Sequence, residues 1–490
     1  MRPPNCSPLL LAALGFVGCA VGPTYLKMEP NAPPRWSRLE ATTDSVATAA
    51  APGDLSRWWQ SLNDPLLSQL MEQALMASPD LRKTHARLRE ARARRAIAGA
   101  GQFSSVTISG SASTLGSSVG RGNLSAGGGG TGIAVTGSEV NTGFDASWEL
   151  DVFGGVRRSV EAAEAEKEAT VASLHDAQVS LVAEVARNYV EVRSLLIRLG
   201  IAKSNLASQS ETLQLTEFRA QAGITSTQDV EQAGSNREQT LARIPSLEIS
   251  LAEAEHRLDI LLGQAPGSLH SRLITAGELP PVPSQVAVGI PADTLRQRPD
   301  VRAAERKLAA ETARVGVAEA ARYPSFRLSG SIGLDALVQG ATGSGVGFVY
   351  SLLGGITAPI FNAGRLRSQV EAQDAVREQA QVSYEQAVLT ALQEVENALV
   401  ALAKSRERGE ALTRAAEAAR NAAQLARQRY GAGVIDFQPV LDTERTVLSV
   451  EDSLASTRAD GVLALIRLYK ALGGGWSQET EPRPAGKGAP

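Results

Sequence analysis

Cysteine and histidine are both rare in this chain. It has two cysteines in 490 residues, Cys6 and Cys19, so no disulfide framework is available to the rest of the sequence. The histidines share no metal-ligand spacing and form no Ser/His/Asp or Cys/His motif. They are His85, His175, His256 and His270. We therefore expect no enzymatic activity, no metal site and no cofactor.

Aromatic residues and net charge are also low. Aromatics make up 4% of the chain and the net charge is −3, which gives no electrostatic footprint for nucleic acid. Alanine, glutamate, glutamine and arginine are common instead. This composition favours long helices over a compact mixed core.

The N-terminus contains the only targeting signal that we identify. The apolar run LLLAALGFV (9–17) has the length of a signal-peptide core and is too short to span a bilayer. Gly18-Cys19 follows, and this junction resembles a bacterial lipoprotein signal, in which the cysteine becomes the lipidated first residue. Ala20 and Val21 come next, without the aspartate that holds such lipoproteins in the inner membrane, which favours the outer membrane. The alternative is an ordinary secretory signal with a coincidental cysteine.

A long internal duplication organises the rest of the sequence. QAGITSTQDV (221–230) and GAGVIDFQPV (431–440) lie 210 positions apart, and the same offset relates Gly154 to Gly364. Upstream the offset becomes 220, so the first copy carries about ten extra residues in a tolerant loop. A repeat of more than 200 residues is too long for a solenoid.

Each copy contains two segments with the period of a β-strand. In FDASWELDV (144–152) an apolar face alternates with an acidic one, as expected for a strand with two different environments. The predicted strands span about 104–115, 140–152, 324–335 and 347–361. Glycine-rich loops join the members of each pair, and since no Lys-Ser or Lys-Thr follows and no helix opens there, we interpret them as flexible loops and not phosphate sites.

The remaining ordered sequence is helical. Apolar residues from Val182 to Leu199 recur in steps of three and four, as do those from Val388 to Leu402, which is a heptad seam. The predicted helical hairpins span about 156–262 and 365–472. Gly223 and Gly433 are expected to cap the descending helices as left-handed residues. Pro245 falls inside the first return helix and should bend it.

The alternation of each strand is typical of transmembrane β-structure. Barrels in lipid must close, and four strands are too few, so the chain must oligomerise and share a barrel. The acidic face of 144–152 would then point into a water-filled lumen. A soluble antiparallel sheet is the alternative, and the lipoprotein signal counts against it.

Several motifs together resemble the outer-membrane efflux channel family (TolC-like outer membrane factors), in its lipoprotein branch that serves resistance–nodulation–division pumps. They are GCAVGPTY (18–25), WWQSLNDPLLSQLMEQAL (58–75), SPDLR (78–82), ELDVFGGVRRSVEAA (149–163), RPDVRAAERKLAAETARVGVAEAARYPSFRLSGSIG (298–333) and PIFNAGRLRSQVEAQ (359–373). The likeness covers essentially all of 19–474. One departure is that Tyr323-Pro324-Ser325, at the entry to a strand, is replaced by Phe103-Ser104-Ser105 in the first copy.

The resemblance implies a fold that is mainly α with a transmembrane β part. It implies a homotrimer with a 12-stranded β-barrel on a 12-helix α-barrel and an equatorial collar. The function implied is a passive, multidrug-type efflux conduit in outer-membrane lipid, with a periplasmic adaptor and an inner-membrane pump as partners. A type I protein secretion channel is the alternative within transport, and a non-conducting coiled-coil stalk is the alternative outside it.

The expected segments follow from the repeat and from the positions of proline. They are a signal peptide (1–18), a lipidated extended N-terminal segment (19–63), a first structural repeat (64–265), an inter-repeat linker (266–291), a second structural repeat (292–473) and a disordered tail (474–490).

Three groups of site residues are predicted. Cys19 carries lipid. The two glycine turns contact the adaptor, through Gly223, Thr225, Ser226, Gly433, Val434 and Ile435. The resemblance places a periplasmic gate just after the second turn, at Tyr430 and Asp442, where three carboxylates around an axis would repel one another and bind cations. The alternative is that the glycines only cap helices, that Asp442 only favours a helix N-terminus, and that Tyr430 is packing.

Overall fold

A computed structural model describes residues 20–29, 32–37, 47–48, 54–118, 134–274, 277–283, 285–339 and 343–477. Cys19, the predicted signal peptide and most of the two glycine-rich loops lie outside these ranges. The chain divides into two compact units. The first comprises 1–27, 89–168 and 306–382, and the second 28–88, 169–305 and 383–490.

The elements of the first repeat follow one another in the predicted order. After the short strand β1 (Ala47–Thr48) and a 3-10 helix (Trp58–Leu62) come α1 (Pro65–Ala77), α2 (Pro79–Ala100), β2 (Ser105–Ser118), β3 (Ala134–Leu150), α3 (Gly155–Gln221) and α4 (Thr227–Leu261).

The second repeat has the same order of elements. The connection contains α5 (His270–Leu273) and β4 (Val286–Ala287). It is followed by α6 (Pro291–Gln297), α7 (Pro299–Ala320), β5 (Ser325–Gln339), β6 (Gly343–Thr357), α8 (Arg365–Gly431) and α9 (Gln438–Ala471). The chain is therefore mainly helical with a β part.

Local sequence explains where the helices begin and end. The side chain of Asp64 accepts a hydrogen bond from the backbone N–H of Leu67, and Pro65 occupies the first helical position of α1. Gly223 and Gly433 have φ values of 70° and 75° and end α3 and α8, as predicted. Helix α4 continues through Pro245.

The first unit contains a four-stranded antiparallel sheet in the order β2-β3-β5-β6. Its pairs have long, continuous registers, from Ser105 opposite Ser147 in β2–β3 to Ser325 opposite Thr357 in β5–β6. Strand β3 begins at residue 134, upstream of the predicted start, and β6 ends at residue 357, before the predicted end. The two strands β1 and β4 form a separate parallel pair in the second unit.

The second unit contains a large apolar core. The predicted heptad seams are buried, with Val182, Val185 and Val395 fully enclosed. Tryptophans from the N-terminal segment complete this core, and the ring of Trp58 stacks on Tyr469 at 5.0 Å between centroids. Within the described residues, no helix combines the length and apolar character that crossing a bilayer requires.

The prediction of a disordered tail is wrong for residues 474–477. The backbone N–H of Gly475 donates to the carbonyl of Leu55 at 2.9 Å, and the ring of Trp476 stacks on His175 at 4.4 Å. The tail composition concealed this because the contacts come from a backbone hydrogen bond of a glycine and from a single tryptophan. The rest of the tail lies outside the described residues.

Candidate functional site

The sheet of the first unit has an apolar face across all four strands and an opposite face that is polar on β2, β3 and β5. Its register aligns Ile108, Phe144, Ile332 and Tyr350 in one row, and Val106 and Leu352 in the next. These apolar side chains are exposed, Tyr350 by 77% and Leu352 by 79%. A soluble protein rarely exposes an apolar patch of this extent, so this face needs a non-aqueous environment.

The opposite face of the sheet carries charge. Its ionisable residues are Glu139, Asp145, Glu149, Arg327 and Asp335. Glu149 lies directly opposite Arg327, and Asp145 accepts a hydrogen bond from Ser109 at 2.6 Å. Strand β6 breaks the pattern, since Val349 and Leu353 are apolar residues on this face. The face is therefore polar and acidic, as the alternation in 144–152 predicts.

The described residues that follow Cys19 are fixed against the first unit. The backbone N–H of Val21 donates to the carbonyl of Phe153 at 3.1 Å. The buried guanidinium of Arg158 donates to the carbonyls of Val21 and Gly22. Gly22 has a φ of 86°, and a Cβ there would lie 2.5 Å from the Cα of Gly316, so only glycine fits. Cys19, the predicted lipidation site, thus immediately precedes in sequence a segment held between the end of β3 and the start of α3.

The two hairpin turns share one backbone geometry. The backbone N–H of Ile224 donates to the carbonyl of Arg219, and that of Val434 donates to Arg429, both at 2.9 Å. These bonds close each helix in the manner of a Schellman motif. Ile224 and Val434 correspond at the offset of 210, and each is almost two-thirds exposed. Ile224 was not among the predicted contact residues, although this correspondence could have identified it.

Some of the predicted contact residues already make hydrogen bonds or packing contacts within the chain. Thr225 donates its hydroxyl to Asp229 at 2.5 Å, and Ser226 and Asp229 form a capping box at the start of α4. The hydrogen bond from Thr225 lowers the pKa of Asp229. Ile435 packs against a small core cluster of the second hairpin. Val434 is the predicted residue whose side chain projects furthest from the fold.

Tyr430 lies at the end of α8 and is buried. Its ring packs edge-on against Phe437 at 5.7 Å, and the guanidinium of Arg219 lies over it at 4.3 Å. The same guanidinium donates to the backbone carbonyl of Tyr430. The Tyr430 hydroxyl donates to Thr216 of α3 at 3.4 Å. The second hairpin is thus joined to the first at this residue, and the first-repeat equivalent of Tyr430 is the small Ala220.

Asp442 lies on the first turns of α9 and is exposed. Its carboxylate accepts a hydrogen bond from Gln438 at 3.0 Å. Asp442 and Tyr430 are not in hydrogen-bond contact within the chain. The side chains of Tyr430, Thr216 and Arg219 therefore form a polar cluster between the two hairpins. Asp442 lies on the solvent-exposed side of α9.

The two hairpins begin their return helices differently. Helix α4 has the capping box of Ser226, whereas α9 follows Phe437, which makes no side-chain capping hydrogen bond. The loss of one capping interaction weakens a helix start by about 1 kcal/mol. The start of α9 is held instead by the buried side chains of Phe437, Val440 and Leu441.

The comparisons identify the family. The protein-family model described as "Outer membrane efflux protein" matches residues 70–264 and 290–474, one match for each repeat. Nodulation protein T of Rhizobium leguminosarum bv. trifolii is 33% identical over 464 residues, which cover 94% of this chain and 95% of that protein. The pyoverdine export outer membrane protein OpmQ of Pseudomonas putida is 32% identical over 482 residues, covering 97% of this chain and 98% of that protein.

A solved structure agrees with both the fold and the family. The outer-membrane channel OprN superposes with a TM-score of 0.84 at 37% identity, and the match covers 94% of this chain and 100% of that one. The chain belongs to the outer membrane efflux protein family, and it is an outer-membrane channel of a tripartite efflux system.

Proposed function

We propose that three copies of this chain form one conduit, with a 12-stranded β-barrel, a 12-helix α-barrel and an equatorial collar. The sheet of the first unit carries the proposal: it exposes an apolar face, and the long strands β2 and β6 form its edges in the described part of the chain. Edge strands cannot remain unpaired in lipid. Pairing β6 of one copy with β2 of the next closes a barrel whose apolar face meets lipid and whose acidic face meets water.

The test is the mass and the conductance of the protein extracted from membranes. We expect native mass spectrometry to give three chains and planar bilayers to show discrete channels. A monomer, or an assembly that conducts no ions under any condition, would support the coiled-coil stalk instead.

Small-molecule efflux by an inner-membrane pump, through a periplasmic adaptor, is the proposed use of the conduit. One relative is named for the export of pyoverdine, and this name supports the proposed use. Deleting the gene should sensitise cells to small toxic compounds and leave secreted proteins unchanged. Accumulation of an unsecreted protein in the deletion strain would favour type I secretion.

Covalent lipid on Cys19 is the proposed membrane anchor, and no other cofactor is proposed. Several acyl chains together make anchoring stable. The barrel should hold the protein in the membrane without them, so Cys19→Ala should leave folded trimer but lower its assembly or retention. Mass spectrometry of the mature N-terminus without lipid would disprove the anchor.

The two glycine turns are the proposed contact with the adaptor. The exposed side chains of Ile224 and Val434 provide apolar contact, and the small residues around Gly223 and Gly433 allow helices to approach closely. Val434→Trp should abolish efflux at unchanged trimer yield, and Thr225→Trp should also loosen the start of α4. Normal efflux with normal adaptor crosslinking in Val434→Trp would contradict this assignment.

Tyr430 and Asp442 are the proposed gate. The hydroxyl of Tyr430 fastens the second hairpin to Thr216, and three copies of the exposed Asp442 would form a ring that binds cations. Tyr430→Phe combined with Asp442→Ala should raise single-channel conductance and weaken cation block. Unchanged conductance and block in this double variant would place the constriction elsewhere.

A further inference from the structure

A polar cavity of about 300 Å³ lies between the first hairpin and the second, away from the turns. Helix α3 contributes the neutral residues Asn205, Ser208 and Gln209, while α8 and α9 contribute charged ones. Gln209 is 2% exposed, and within the described residues neither its amide oxygen nor its amide nitrogen has a hydrogen-bond partner. The cavity is large enough for several water molecules, which occupy about 30 Å³ each in the liquid.

Glu444 on α9 places a buried carboxyl group in this cavity. It is 5% exposed, and its Oε1 lies 2.7 Å from the hydroxyl oxygen of Thr212 on α3. That hydroxyl oxygen also lies 3.0 Å from the carbonyl oxygen of Ser208, one turn earlier on α3. Thr212 thus has two acceptor atoms within reach and one hydrogen to donate.

If Glu444 is protonated, one hydrogen is available for each of the two short oxygen–oxygen contacts of Thr212. A neutral carboxylic acid donates its own hydrogen to Thr212, which then donates to the carbonyl of Ser208, and each oxygen pair has one hydrogen. A carboxylate would take the hydrogen of Thr212, and the Ser208 carbonyl would keep only its helical bond from the backbone N–H of Thr212. Burial raises the pKa of Glu444, while the hydrogen bond to Thr212 and the charge of Arg427 oppose that rise.

The surrounding charges do not provide Glu444 with a close ion pair. From α9 the other carboxylate is Glu451, which binds Arg420 of α8 at 2.6 Å. Arg427 of α8 donates to Ser208 and forms no salt bridge in the part of the chain that the structure describes. The cavity residues from α3 carry no charge, and α4 contributes none of its lining.

We propose that Glu444 is a proton-dependent latch, which as a neutral acid holds α9 of the second hairpin against Thr212 of the first and releases it on ionisation. A raised pKa means that the packed arrangement binds its proton more tightly than an opened one. The latch is therefore at full strength below the ordinary pKa of glutamate and weakens as the pH rises through the raised one. Each unit of the rise changes the equilibrium between latched and released hairpins tenfold.

The consequence for transport follows if the turns form the gate, and this step rests on the proposed function. Because α9 also carries Asp442 and packs beside Tyr430, release of Glu444 would loosen the start of this return helix. The channel would then be held shut in acid and opened more readily at neutral to alkaline pH. The cavity is large enough for water, which would give the proton a route to the carboxyl group.

Two measurements on the full chain test the latch without using transport. The first is an infrared difference spectrum between wild type and Glu444→Gln, recorded from about pH 5 to about pH 8. We expect a protonated carboxyl band in the wild type that persists above the ordinary pKa of glutamate. A band that titrates at the ordinary pKa would overturn the proposal.

The second measurement is the distance between spin labels on Glu211→Cys of α3 and Thr446→Cys of α9, both exposed positions, in protein diluted with unlabelled chain. The distance should increase with pH in the wild-type background and stay short in Glu444→Gln, whose amide donates as the acid does. Glu451→Gln, the matched control in the same cavity, should keep the pH dependence. If the spin-label distance in Glu444→Gln changed with pH as it does in the wild-type background, the latch would be overturned. If the distance changed with pH in the wild-type background but the conductance stayed constant, the latch would be supported and the gate contradicted.

Discussion

Arg298 lies between α6 and α7 of the second repeat, and its buried side chain is close to several carboxylates in the second unit. Its guanidinium binds Asp300 and Glu394 at 2.6 and 2.7 Å and donates to the carbonyl of Ala471 at 2.8 Å. Burial and the neighbouring Asp300 raise the pKa of Asp176, although Arg298 lies nearby. Arg298 is therefore the buried member of two ion pairs whose carboxylates are partly exposed.

Arg298→Met should destabilise the protein by about 1–3 kcal/mol, because it leaves the carbonyl of Ala471 and the partly exposed carboxylates of Asp300 and Glu394 without their donor. Arg296→Met is the control, since the pair of Arg296 with Asp293 is exposed and worth about 0–1 kcal/mol. Denaturant unfolding of both variants in detergent measures the difference. Equal stability of the two variants would show that Arg298 is not essential to this part of the core.

Sequence reasoning found some of these residues and missed others for a physical reason. Gly223 and Gly433 were predictable because a left-handed helix end is a local requirement that favours one residue type. Arg298 and Glu444 were not, since an arginine or glutamate inside a helical pattern resembles a solvated surface residue until a distant partner is known. Chemistry that depends on tertiary burial leaves no local signal.

At the scale of elements, the two return helices differ at equivalent positions. Pro245 in α4 corresponds to Ala455 in α9 at the offset of 210, and Ala455 is buried. Proline removes one backbone hydrogen bond from a helix and costs about 3 kcal/mol. Pro245→Ala should stabilise the protein by up to about that amount, and Ala455→Pro should destabilise it by at least as much. Thermal unfolding of both variants checks this, and destabilisation by Pro245→Ala would show that α4 packs through its proline.

Side-chain patterns located the ends of the helices more accurately than the ends of the strands. Helices were placed to within a few residues because period and proline positions mark them. Strand β3 begins earlier than predicted because its first residues, AVTGSE (134–139), hardly alternate, whereas backbone pairing with β2 and β5 continues there. The extent of a strand depends on its partner, and a single segment does not contain that information.

The two faces of the sheet should tolerate a charged substitution differently. Leu352 and Ser351 are adjacent on the edge strand β6 and lie on opposite faces. An arginine on a lipid-facing position costs about 2–4 kcal/mol at the bilayer midplane, whereas a lumen position tolerates charge. Leu352→Arg should therefore reduce the yield of folded protein in the outer membrane strongly, and Ser351→Arg should not. The reverse order of yields would mean that the apolar face of the sheet is not the lipid face.

At the scale of the whole molecule, the polar face of the sheet would determine which ions the proposed barrel admits. It presents four carboxylates, Glu139, Asp145, Glu149 and Asp335, against the single guanidinium of Arg327. Three copies around one lumen would multiply this excess, and water-filled clefts lined by one sign of charge concentrate ions of the opposite sign. The open channel should therefore be cation-selective.

Reversal potentials in a salt gradient measure this selectivity. Asp145→Asn combined with Asp335→Asn should move the reversal potential toward zero, and a further increase in salt should do the same in the wild type because it screens the fixed charge. The comparison is best made in the Tyr430→Phe, Asp442→Ala background, so that the carboxylates of the turn contribute nothing. Anion selectivity in that background would mean that the acidic face does not line the conducting path, and the assignment of lumen and lipid faces would have to be exchanged.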